Sequence, residues 1–73
     1  MTKEKEVFIN TDTIELDKFL KWAGVFSTGG EAKLVINEGR VKVNGQIETH
    51  RSRKLKVSDI IEVDGLKLQV CRR

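Results

Sequence analysis

Apolar positions along this chain follow two different periods, helical in the first half and alternating in the second. Leu16, Phe19, Leu20 and Ala23 recur at i, i+3, i+4 and i+7, the buried stripe of one helix. Asn10 to Thr13 are rich in capping residue types, and Gly24 stands where such a helix stops, so the spacing predicts helix one over about 14–23. Val25 to Gly30 is a short link. Thr28-Gly29-Gly30-Glu31 has capping-box spacing, Ala32, Val35 and Ile36 supply the stripe of helix two, and Gly39 its left-handed stop.

After Gly39 the period becomes two. Arg40-Val41-Lys42-Val43 alternates as a half-buried strand does, Asn44-Gly45 is a strong hairpin signal, and Gln46-Ile47-Glu48 is the return strand. A two-residue turn would set Val43 facing the side of Gln46, not Ile47, so a bulge or longer turn is expected there. Thr49 to Lys56 holds four fixed positive charges and no acid, with Leu55 as its only anchor, and reads as a mobile basic strip whose order before binding is left open. Ile60, Ile61 and Val63 make another strand, Asp64-Gly65 a turn, and Leu66, Leu68 and Val70 alternate into the last strand. Val7-Phe8-Ile9 is a short edge strand. The architecture these elements predict is α+β, two short helices packed on a small, mainly antiparallel sheet in a single domain over 1–73.

Composition narrows the function. A chain of 73 residues makes one marginal core, with little left for a catalytic cleft. No apolar run approaches a membrane span, and Met1 to Glu6 alternates charge without the apolar stretch of an export signal. Cys71 is the single cysteine and His50 the single histidine, which disfavours structural zinc and points to the reducing cytoplasm. No cofactor is expected. The net charge of +3 is unevenly spread. Residues 1–39 carry five Lys/Arg against seven Asp/Glu, residues 40–73 nine against four. A basic half suggests a polyanionic partner.

The stretch from Leu16 to Val63 resembles the S4 RNA-binding domain. The residues that carry the likeness are Leu16-Asp17, Leu20, Thr28, Ala32, Ile36, Gly39, Val41-Lys42-Val43-Asn44-Gly45 and Ser58-Asp59-Ile60-Ile61. Thr28 to Lys33 also looks like the small stand-alone S4-like proteins of bacteria. The resemblance implies an αL RNA-binding motif, with the two helices and the following hairpin as the RNA face. It implies structured RNA as partner, often ribosomal RNA or an assembling ribosomal subunit, in ribosome assembly or ribosome-associated quality control. Glu15 and Gly29 stand where the family often has arginine, and both arginines are usual RNA contacts.

The residues offer a replacement. Gly29 and Gly30 open the start of helix two to a phosphate approaching its free N–H groups, or simply make a tight turn. Thr28 caps the helix or bonds a phosphate oxygen, and Lys33 lies one turn on. Arg40 and Lys42 should share a face beside Asn44. Arg51, Arg53 and Lys54 extend the basic strip, and Lys18 and Lys21 lie off the stripe of helix one. His50 sits inside the strip as a contact or as a plain exposed residue. Asp17 and Asp59 suit local capping or pairing. Phe8, Phe19 and Phe26 are expected in the core and Trp22 at its edge, a poor design for stacking bases one after another. No catalytic or metal-binding residue is expected, and no membrane or small-molecule ligand. A monomer is expected. Two other readings remain open, a protein-interaction adaptor using the acidic half (Glu4, Glu6, Asp12, Glu15, Asp17) and a DNA-binding helix pair.

Overall fold

A computed structural model describes residues 3–73. Met1 and Thr2, part of the segment read above for an export signal, lie outside them. Among the described residues, seven strands and two helices run in the order β1 (Lys3–Ile9), β2 (Thr13–Glu15), α1 (Leu16–Trp22), α2 (Gly29–Asn37), β3 (Val41–Val43), β4 (Gln46–Ile47), β5 (Lys54–Lys56), β6 (Ile60–Val63) and β7 (Leu66–Arg72). Five strands form one sheet in the order β1-β7-β6-β3-β4, and β2 pairs with β5 in a separate two-stranded ribbon. Only β1 and β7 run parallel; the other pairs are antiparallel. The helix pair on a mainly antiparallel sheet is the α+β architecture that the two periods predict.

Alternation places Val7, Ile9, Val41, Val43, Ile61, Val63, Leu68 and Val70 in the core, where they meet Leu16, Phe19 and Leu20 of α1 and Ala32, Val35 and Ile36 of α2. Both helices close in the same way. Gly24 and Gly39 take φ of +79° and +75°, and each pair of closing bonds runs back into its helix: Gly24 N–H to Lys21 and Val25 N–H to Leu20, Gly39 N–H to Ile36 and Arg40 N–H to Val35. These are Schellman closures, which need a residue free of the Cβ penalty at the left-handed position.

Four expectations are corrected. Helix one begins at Leu16, not near residue 14, because Thr13 to Glu15 are drawn off into the ribbon with β5. Asn10 to Thr13 therefore do not cap it. Instead, the Arg53 carbonyl accepts from Leu16 N–H at 2.9 Å and the Arg51 carbonyl from Asp17 N–H at 3.1 Å. The hairpin has no bulge: Val43 pairs with Gln46, and Asn44 and Gly45 both hold positive φ, 52° and 84°, the two-residue type I′ pattern. Ile47 is 62% exposed as a result. Its strand is two residues long at the sheet edge, so no neighbour enforces burial. The basic strip is not free, since Leu55 is fully buried and the flanking lysines pair with β2. Finally, Phe19 is buried and Phe26 packs against the core, but Phe8 is 45% and Trp22 56% exposed. Phe8 lies between buried Val7 and Ile9, so it faces away from the helices.

Candidate nucleic-acid interface

The ribbon and its backbone bonds bring the basic strip to the head of α1. Leu55 is the apolar pin, and the Arg51 and Arg53 carbonyls replace a side-chain cap on a helix whose N-cap residue, Glu15, makes none. Arg51, Arg53, Lys54 and Lys18 thereby become neighbours in space, although 32 or more residues separate Lys18 from the others in the chain. The acids here are tied to them. Lys18 Nζ lies 2.9 Å from Glu15, Arg51 4.0 Å from Asp17, and Arg53 2.8 Å from Glu48. The Lys18 bond and charge, with lesser help from Lys54 and Arg51, hold the Glu15 carboxyl below its ordinary range, and Glu15 in turn raises Lys18. Lys21, Lys33 and Lys54 have no acid within 4.0 Å among the described residues.

Glu48 organises the loop that carries the strip. Its carboxylate accepts from the Thr49 and His50 N–H groups at 3.1 Å each, meets His50 Nδ1 at 3.0 Å, and accepts from Arg53 at 2.8 Å. Led by the His50 ring, these bonds hold its carboxyl down at about 2. The signal for this role is in the sequence: Glu48 is the only acid between Arg40 and Asp59.

At the head of α2 the Thr28 hydroxyl oxygen accepts from Glu31 N–H at 3.2 Å, the forward half of the capping box. Its own O–H stays available to donate. Gly29 and Gly30 have no positive φ, and a Cβ at Gly29 would meet nothing within 4 Å. The turn reading therefore loses its physical motive, since the backbone here does not need glycine. What two glycines do provide is an uncovered approach to their own two N–H groups, ahead of the bonded Glu31 and Ala32 N–H groups, with exposed Lys33 beyond.

The hairpin side behaves differently. Arg40 and Lys42 do share a face, where Arg40 is bonded to acids and Lys42 stands opposite one in the sheet without a bond to it. Arg40 places one guanidinium nitrogen 2.8 Å from both oxygens of Asp64, which raises its pKa further, and reaches Glu38 at 3.4 Å. Lys42 stands opposite Glu62, which stands opposite Lys67, which stands opposite Glu4, an alternating ladder across the sheet on the face away from the helices. Asn44 is spent internally: its oxygen accepts from Ile60 N–H at 2.9 Å, and its amide donates to Asp59 at 3.2 Å. Asp59 also accepts from Lys56 N–H at 2.8 Å, and Asp17 accepts from Lys18 N–H. Both aspartates pair locally, as their positions suggest.

Sequence reasoning missed one surface. A shallow groove of about 350 Å³ runs between the end of β1 and α1, lined by Ile9, Ile14, Glu15, Lys18, Trp22 and Lys54 among others. The Trp22 indole N–H donates to the Phe8 carbonyl at 2.9 Å. The signal was its position off the apolar stripe, four residues after Lys18 and hence on the same side of the helix.

The fold and this surface define a class: a small α+β domain whose second sheet element presses a basic strip against the first helix. The chain belongs to the S4 domain family, whose model matches residues 7–71. It is 42% identical over 59 residues to a Bacillus subtilis chain named "Probable ribosome maturation protein RlbA", covering 81% of this chain and 83% of that one. It is also similar to the Ribosomal large subunit pseudouridine synthase B of Bacillus subtilis, 46% identical over 54 residues, but there the match covers 22% of the enzyme. The solution structure of YbcJ from Escherichia coli superposes with a TM-score of 0.72 at 30% identity, over 97% of this chain and 91% of that one. YbcJ is described as carrying an αL motif involved in RNA binding.

Proposed function

We propose that this chain is a non-catalytic, monomeric, cytoplasmic RNA-binding protein that reads structured ribosomal RNA during ribosome assembly or ribosome-associated quality control. The observation that carries the reading is the docking of the 51–54 strip on the head of α1 by the Leu16–Arg53 and Asp17–Arg51 backbone bonds. It gathers Lys18, Arg51, Arg53 and Lys54 on one rim, and positive groups placed to track phosphates supply most sequence-independent RNA affinity. The RNA-binding motif described for YbcJ supports the partner class, and the name of the Bacillus subtilis relative supports the ribosomal setting. The lone, partly covered Cys71, whose thiol burial pushes up, suits a reducing compartment.

The test is Arg51→Ala with Arg53→Ala, followed by anisotropy of labelled ribosomal RNA hairpins at several salt concentrations. The capping bonds come from backbone carbonyls, so the double variant should stay folded. Its affinity should fall at least about ten-fold at low salt, with a shallower salt dependence than the parent. Equal affinity and equal salt slope would remove the strip from the interface.

A further inference from the structure

Trp22 is the largest of the five bulky apolar side chains that stand open to solvent among the described residues, with Phe8, Leu34, Ile47 and Val57. Large aromatic side chains are normally the most valuable core material, yet more than half of this one lies open to solvent. Nor is it loose. The indole N–H is tied to the Phe8 carbonyl at 2.9 Å, which pins the ring between the end of α1 and the end of β1. A ring that is fixed and exposed loses little further freedom when something stacks on it.

Its surroundings specify what that something is. Ile9 and Ile14 form an apolar floor, Thr11 and Thr13 offer polar groups, and Lys18 and Lys54 stand at the wall. Glu15 is bonded to Lys18 and stands opposite Lys54 in the ribbon, so with two lysines and one glutamate the groove carries one more positive charge than negative. At about 350 Å³ it lies at the small end of ligand sites and takes a fragment no larger than about one nucleotide. A flat π-face, an apolar floor and the Lys54 ammonium group at the rim complement a nucleobase joined to a phosphate.

We propose that the Trp22 groove receives one unstacked base of the bound RNA, stacked on the indole, with the adjoining phosphate on Lys54. This rests on the RNA-binding reading and adds to it a base contact beside the basic rim at the head of α1. It gives a protein that otherwise grips phosphates a means of preferring RNA with an unpaired nucleotide over a continuous duplex.

Trp22 is the only tryptophan in the chain, so its emission reports this groove alone. The experiment compares a fluorescein-labelled RNA hairpin bearing a single unpaired nucleotide in its stem with the same hairpin fully paired. Anisotropy reads binding, Trp22 emission reads stacking, and far-UV circular dichroism checks each variant. The unpaired hairpin should quench Trp22. Trp22→Leu should weaken that RNA about ten-fold, as loss of one base stack does, while Trp22→Phe, which keeps a π-face but loses the bond to Phe8, stays within about three-fold of the parent. The paired hairpin should bind all three alike. Binding of both RNAs with unchanged emission, or equal losses for the Phe and Leu variants, overturns the groove and leaves the RNA reading standing. No binding of either RNA by the parent at low salt overturns both.

Discussion

Glu48 shows what a single carboxylate does amid cations. It gathers His50, Arg53 and two backbone N–H groups around one side chain and so gives the basic loop its shape. Its folded pKa of about 2 lies below its ordinary 4.5, so its contribution to stability is complete above about pH 4.5 and disappears as the pH falls towards 2. Glu48→Gln should therefore lower the unfolding temperature at pH 6, and the gap from the parent should close on acidification through that window. Thermal melts across pH 2–6 check this, and a constant gap would place the stabilisation in shape, not charge. Asn44 makes the opposite point. As a sequence letter it reads as a turn former and a candidate contact. In the fold its left-handed backbone confirms the turn, while both polar ends of its side chain are already bonded to the next loop, at Asp59 and Ile60.

At the scale of elements, α2 presents the clearest conflict between stability and use. Two glycines in its first turn weaken a helix that neither backbone conformation nor crowding obliges to carry them. Gly29→Ala should stabilise the domain by about 0.5 kcal/mol and still weaken RNA binding, because the methyl covers helix-start N–H groups that a phosphate would approach. Melting curves paired with RNA titration test both halves. An alanine variant that is more stable and binds undiminished would leave these glycines without a role in recognition. The apolar stripes, the Thr28 cap, both glycine stops and the places of the Asn44-Gly45 and Asp64-Gly65 turns were legible, because each is a contest among neighbouring residues; the two-residue form of the first turn, where a bulge or longer loop was expected, was not. The start of α1 was not. Its first bonds are made by residues 51 and 53, and Thr13 to Glu15 are claimed by a strand forty residues away.

For the whole molecule the governing fact is a small core with little margin. Leu55 stands in it from the middle of the basic strip, so stability and the interface share one side chain. Leu55→Ala should cost about 2–5 kcal/mol, a large part of the stability of a domain this size, and should release the strip from α1 in the same step. Urea unfolding measures the first effect and RNA affinity at low temperature the second; a loss below about 1 kcal/mol would mean the ribbon is not anchored through Leu55. The placement of charge is likewise a property of the whole. Arg40 and Lys42 look equivalent to Arg51 and Arg53 in a list of basic residues, but the sheet sets Asp64 against the first and Glu62 opposite the second, while the ribbon carries the others to the helix head. The sequence by itself determined the two periods, the α+β class, the closures of both helices and the positions of the turns, because hydrophobic spacing and backbone preference act over a few residues. Only the tertiary structure decided which cations keep company, that the strip is pinned by Leu55, and that Trp22 stands open beside Lys18 and Lys54, because those outcomes depend on pairings between residues far apart in the chain.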